Sequence, residues 1–183
     1  LRSLGQKLDD RALVEQAKAA DETALALERE KWGERSEKVA SSLSNLAKNY
    51  SVLGETAAAL KTSLQSLSIR RRLVDCGKMT PDEARLGTSL TNTGALYVKI
   101  GEPGAARPLL EEALEVFRAA YGRDDLPNVR QTAGWLVVCH RVLARRDPAQ
   151  EAEARRIAAE FGLDWEEEEA KAAQYPGPVD VEA

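Results

Sequence analysis

T-S-L-T-N-T-G-A-L-Y-V-K-I-G-E-P-G-A-A-R-P-L-L-E-E-A-L-E-V, residues 88–116, has a companion in the same chain. The companion is S-S-L-S-N-L-A-K-N-Y-S-V-L-G-E-T-A-A-A-L-K-T-S-L-Q-S-L-S-I, residues 41–69. At one fixed offset Leu43 falls on Leu90, Asn45 on Asn92, Tyr50 on Tyr97, Gly54 on Gly101 and Glu55 on Glu102. The matches continue with Ala59 on Ala106, Leu67 on Leu114 and Ile69 on Val116. Agreement sustained over both halves of the stretch is internal repetition, and a repeat decides the fold before any single element does.

Each copy reads as two helices. Leu43, Leu46, Ala47 and Tyr50, then Ala59, Leu60, Leu64 and Leu67, recur in steps of three and four, which places them on one helical face. Gly54 and Gly101 break the pattern where a left-handed residue ends a helix. Small residues at Ala47/Gly94 and Ala59/Ala106 let the two backbones approach, and Tyr50 and Tyr97 fill the wider gap. One such hairpin cannot bury its own apolar face, so copies must stack.

N-L-A-x-x-Y-x-x-x-G-E at 45–55 and N-x-G-x-x-Y-x-x-x-G-E at 92–102 resemble tetratricopeptide repeats, most of all the longer kind found in kinesin light chains. The helix–glycine–helix connection R-E-K-W-G-E-R-S-E-K-V-A-S-S-L at 29–43 fits that subtype, and the resemblance covers roughly residues 10–161. It implies an all-α fold, a right-handed α-solenoid of antiparallel helix hairpins. About three and a half repeats and a C-terminal capping helix fit the chain.

Outward from the two copies, residues 1–8 form an N-terminal segment, and residues 9–33 form half a repeat. Asp9 or Asp10 is the expected N-cap of its helix, which runs to about Trp32 with Ala17, Ala24, Leu25 and Leu27 on one face. A solenoid that opens on half a repeat leaves an apolar face for a partner, and a first residue Leu1 suggests a piece of something longer. Complete repeats are expected over 36–75 and 80–122, and a divergent one over 126–162. Thr80, Pro81 and Glu83 predict a capped helix start near residue 81. The Arg70-Arg71-Arg72 run reads first as charge set against a helix carbonyl end, with an anion or acidic-peptide contact as the sharper alternative. Asp147-Pro148-Ala149-Gln150 is a further helix start. Asp164 caps a last helix within 163–175, whose Glu166–Glu169 run suits its first turn and a solvated face. Pro176-Gly177-Pro178 ends helix formation, and 176–183 reads as a flexible tail.

A formal charge of −4 does not suit a protein that neutralises phosphates, so nucleic acid is disfavoured as a partner. No apolar run reaches bilayer length. Cys76 and Cys139 belong to no metal-spaced pair and read as free thiols of a reducing compartment. The expected place is the cytoplasm by default, or an organelle interior if a targeting peptide has been removed. His140 is the single histidine, and it falls in the slot of Tyr50 and Tyr97, a packing position. Cys139 beside it points elsewhere on a helix, and G-E-P-G at 101–104 is a turn, not a phosphate loop. No catalytic, cofactor or metal constellation stands out, and the expectation is a protein without enzymatic activity.

What remains is surface. The resemblance implies that first helices line a groove and that Asn45 and Asn92 face it, because the matching amide in the family often bonds the backbone of an extended peptide. An amide both donates and accepts, so it reads a backbone without reading side chains. The same asparagines would also serve a structural bond between neighbouring repeats. Lys48 and Lys99 reach that face or its rim. In the divergent repeat Trp135 takes the asparagine slot and Arg141 lies on the same side, two residue types common at binding hot spots. Ser44 and Thr91 stand where the carboxylate-clamping members have basic residues, so that clamp is not reproduced. Two readings follow. One is a scaffold or adaptor that takes a peptide segment of another protein in the groove. The other is an architectural subunit packed through its faces and ends into a large complex.

Overall fold

In the structure, a computed structural model, residues 4–80 and 83–177 are described, with backbone alone for residues 4–9. Eight helices and no strand occur among the described residues: α1 (Leu4–Trp32), α2 (Glu37–Val52), α3 (Thr56–Asp75), α4 (Ala84–Lys99), α5 (Pro103–Tyr121), α6 (Pro127–Ala144), α7 (Ala149–Glu160) and α8 (Trp165–Ala172). By proximity of Cα atoms the chain divides into two compact units, Leu1–Met79 and Thr80–Ala183.

In the first unit α2 and α3 form the first complete hairpin. Ser36 caps α2, its Oγ accepting from the Val39 amide at 3.3 Å. Gly54, at φ +81, reverses the chain in the left-handed region that a side chain would resist. Ala47 and Ala59 are buried, and the Ser66 hydroxyl donates to the Ala40 carbonyl at 2.7 Å, so α2 and α3 lie close. Leu25, Val39, Leu43 and Leu46 form a core cluster against which Tyr50 and Ile69 pack.

Four features here differ from the sequence reading. α1 begins at Leu4, so Asp9 and Asp10 lie inside it and do not start it; Gln6, Lys7 and Leu8 are good helix formers and carry it upstream. Of the four residues assigned to its packed face only Leu25 is buried; Ala17 and Leu27 are exposed. Residues two apart on a helix are about 200° apart, so Leu25 and Leu27 cannot share a face. α1 instead meets α2 largely through polar groups, Glu28 with Ser42 at 2.5 Å and Asp21 with Asn49 at 2.7 Å. Tyr50 likewise turns to α1, its hydroxyl donating to Glu22 at 3.1 Å, and does not simply fill the hairpin.

The arginine run also divides. Arg72 stands in the last turn of α3 as expected. Arg70 is buried, and its guanidinium reaches Glu37 at 2.9 Å and Ser44 at 2.9 Å. α3 continues to Asp75, which leaves Arg70 more than a turn from the carbonyl end and opposite the N-terminus of α2.

In the second unit α4 starts at Ala84 after Glu83, with no side-chain cap bond, a little later than Thr80 and Glu83 predict; Pro81 lies outside the described residues. α5 opens on Pro103 and ends at Gly122, φ +64, both as read. α4 and α5 approach closely at Gly94, where an added methyl would meet Leu110 Cγ at 2.7 Å. Leu90, Val98, Leu110, Phe117, Val129, Val137, Val138 and Val142 are fully buried in this unit. α7 follows the Asp147 start, with Asp147 Oδ1 accepting from the Ala149 amide at 3.1 Å. Asp164 caps α8, accepting from the Glu167 amide at 3.0 Å.

The expected flexible tail over 176–183 begins with placed residues. Arg145 donates to the Tyr175 carbonyl at 2.9 Å, and a methyl on Gly101 would stand 3.1 Å from the Gly177 carbonyl oxygen. α8 ends at Ala172, before Pro176 is reached, and the chain then finds partners. Residues 178–183 lie outside the described residues.

Candidate peptide-binding face

In the second unit the first helices of successive hairpins lie side by side, α4 against α6 and α6 against α8. Thr91 and Thr132 join α4 to α6 through hydroxyls 2.8 Å apart. α8 thus takes the place that the first helix of a further repeat would hold.

On α4, Asn92 and Lys99 are seven residues apart and share a face. Asn92 is half-buried, and its side chain makes no hydrogen bond among the described residues. Lys99 Nζ lies 5.9 Å from the centre of the Trp135 ring on α6. Burial holds this ammonium below the ordinary lysine range, since a desolvated cation is disfavoured. Trp135 meets Tyr175 with ring centres 5.6 Å apart and planes tilted by 48°. Arg145 carries Tyr175 there, binding the Ala172 carbonyl at 2.8 Å as well, and so satisfies a carbonyl that the end of α8 leaves open. Burial also pushes the Tyr175 phenol up. An open cavity of about 720 Å³ lies alongside, bordered by Gln131, Gly134, Trp135 and Val138 of α6, Glu168 of α8, and Tyr175.

Arg141 is drawn off to other work. Its guanidinium lies 4.3 Å from the Trp165 ring and 2.6 Å from Glu169 on α8, with Glu151 of α7 3.7 Å away. It borders a smaller cleft of about 310 Å³, one that Trp135 does not line. The structure therefore places Lys99 beside Trp135, with Asn92 on the same face of α4, and sets Arg141 between α7 and α8. In the first unit Asn45 and Lys48 are both exposed on α2, and the Asn45 amide makes no hydrogen bond among the described residues. Neither repeated asparagine serves a bond between neighbouring helices here; Asn49 does that, toward Asp21.

Two residues at this face escape the sequence reading. Glu168 belongs to the glutamate run taken as solvated, yet it is only 4 % exposed and lies against Gly134, whose added methyl would meet its carboxylate at 3.3 Å. The signal was present: Trp165, Glu168 and Ala172 recur at helical spacing, so one glutamate of the four shares the packed face. Tyr175 lies beyond the last helix, where no periodicity speaks for it.

His140 and Cys139, the two residues weighed for catalysis, are both engaged within the fold. His140 is buried with Nδ1 2.8 Å from Gln150 Oε1. Cys139 is buried, faces the Pro103 carbonyl, and burial pushes its thiol up to about 12. Among the described residues no three His, Cys, Asp or Glu side chains cluster as a metal would need. No described helix is long and apolar enough to cross a membrane.

Residues 39–75 and 86–126 match the tetratricopeptide repeat family. These segments are tetratricopeptide repeats. The matched ranges are the two hairpins built on Gly54 and Gly101, and this repeat family is in general non-enzymatic and engages proteins. Solved tetratricopeptide-type structures share the fold. BtubC (BKLC) from P. vanneervenii superposes with a TM-score of 0.64 at 23 % identity, over 94 % of this chain and 63 % of that one. This chain thus spans less than two thirds of BtubC. Two crystal structures from Podosopora anserina, assigned as a kinesin light chain with nearly identical TPR-like repeats, both give TM-scores of 0.60. Their identities are 20 % and 19 %, over 81 % and 88 % of this chain and 68 % and 74 % of theirs. No curated protein matches the chain by sequence.

Proposed function

We propose that this repeat protein is a non-enzymatic scaffold or adaptor whose α4–α6–α8 face takes a peptide segment of another protein. The observation that carries the reading is Asn92. Its amide is half-buried, unspent on its own chain, and set on the same face as Lys99 and next to the helix that bears Trp135. An amide that its own chain leaves unused can both donate to and accept from a peptide backbone. Asn45 and Lys48 hold the corresponding positions on α2, and Arg141 contributes by fixing α8 beside α6. Protein is the expected partner. Nucleic acid is disfavoured by the acidic balance, and no cofactor is called for.

A pull-down tests the reading, with the native chain beside an Asn45→Ala/Asn92→Ala/Trp135→Ala variant. Loss of a partner from the variant, with its helical circular dichroism unchanged, is the expected result. Recovery of one and the same complex by both forms would sink it. That second outcome would favour an architectural subunit, for which α1 offers a specific surface: Leu13, Leu27 and Trp32 are 62 %, 62 % and 54 % exposed.

A further inference from the structure

We propose that the cavity between α6 and α8 is a subsite for a cationic side chain, a lysine or arginine carried by the partner segment. The inference rests on reading this face as peptide-binding and adds the chemistry of what it selects.

Glu168 is the central observation. Its side chain is 5 % exposed, and one oxygen, Oε1, accepts from Lys171 Nζ at 2.7 Å. The other, Oε2, is buried, has no hydrogen-bond partner and belongs to a residue that borders the cavity. A carboxylate oxygen withdrawn from water and left unpaired is costly, and a cationic donor in the cavity relieves that cost with a charge-assisted bond. The walls agree with such a guest. Four carboxylates border the cavity, Asp125, Asp164, Glu167 and Glu168, against two cations, Arg130 and Lys171; Asp125 is paired with Arg123, which leaves three carboxylates to two cations. Both cations are engaged, Arg130 with the Gly162 carbonyl at 2.9 Å, and Lys171 between Glu167 at 2.9 Å and Glu168. One ammonium shared by two carboxylates leaves an excess of negative charge facing the space. Trp135 and Tyr175 supply aromatic surface on another side, and a ring attracts a cation through its face. Gly134 is what opens the place, because any side chain there would press on the Glu168 carboxylate.

An anionic guest would meet this excess unfavourably, and an apolar one would leave Oε2 unpaired. The cavity volume of about 720 Å³ exceeds one side chain, so the flanking backbone of an extended segment fits with it.

The test uses the full chain and small probes. The indole ¹H–¹⁵N signal of Trp135, identified by its disappearance in Trp135→Phe, is followed while Nα-acetyl-arginine amide, Nα-acetyl-lysine amide or Nα-acetyl-citrulline amide is added. Citrulline keeps the shape of arginine without its charge. The expected result is a saturable shift with the two cations, weakened by added sodium chloride, and none with citrulline over the same range. Glu168→Gln is expected to weaken arginine binding roughly tenfold or more. Equal shifts with arginine and citrulline, no shift with arginine, or unchanged binding in Glu168→Gln would each overturn the proposal. Should Glu168→Gln fail to fold, the arginine and citrulline titrations of the native chain decide the matter alone. If these fail while the pull-down still loses its partner with the triple variant, the peptide-binding face stands and only its selectivity for cations falls.

Discussion

A methyl group at Gly94 would stand 2.7 Å from Leu110 Cγ, closer than packed carbons come, and Leu110 is fully buried with nowhere to move. Gly94→Ala should therefore lower stability by roughly 1–2 kcal/mol in a urea titration, overpacking outweighing the better helix propensity of alanine. Gly104, also helical, meets nothing within 4 Å, and Gly104→Ala should raise stability by about 0.5 kcal/mol in the same measurement. The need for a small residue at position 94 was legible from the sequence, because the repeat pairs it with Ala47. Gly87, whose added methyl would meet the Phe117 ring at 2.8 Å, falls at the same offset on the buried Ala40, one position before the two compared stretches begin. The two cysteines differ. Cys76 is exposed and Cys139 buried, so a thiol reagent should label one cysteine in the native chain and both after denaturation. Burial raises the Cys139 thiol from 9.0 to about 12. Its contribution to stability is then full below pH 9 and fades as pH rises through the folded value. The difference in unfolding free energy between the native chain and Cys139→Ala should shrink over that alkaline window.

Helix termini and helix partners were readable where the signal is local and hidden where it is tertiary. Asp164 is a local signal, and it caps α8 as its position predicts. Asp164→Ala should cost about 1 kcal/mol and should also loosen the Arg141–Trp165 contact, seen as a change in Trp165 emission. Arg70 is the opposite case. Nothing in R-R-R says which guanidinium turns inward; that is set by the register of α3 against Glu37 at the start of α2. Glu37 keeps 23 % of its side-chain surface, so the pair lies between buried and surface behaviour. Arg70→Ala should lower stability by roughly 2–3 kcal/mol in a denaturant melt, short of the full cost of breaking a buried pair. The face of α1 was misread for a reason at this scale too. Its contacts with α2 include acidic residues, Lys18 over the Tyr50 ring and Leu25, and an apolar pattern cannot announce the polar ones.

Across the chain, burial is uneven, and the dynamics should follow it. Among the described side chains of α1 only Leu25 is buried, whereas α4, α5 and α6 contribute many covered side chains. Native-state hydrogen exchange should find the amides of α1 the fastest among the helices of the first unit, and those of α4 and α6 the slowest of the second. Equal protection in α1 and α2 would contradict this. The repeat made the hairpins legible because the same spacing was written twice. It was silent on the α6–α8 cavity, which depends on a residue buried out of a run of four glutamates and on a tyrosine past the last helix. That short stretch has a practical outcome. Whatever polypeptide is joined after Gly177 sets out from beside Gly101 and close to Trp135. A ligand sequence fused there through a short flexible spacer would be tethered at an effective concentration on the order of millimolar. Even a weak binder would then fill the face in a single-chain fusion, without any need to isolate the natural partner first.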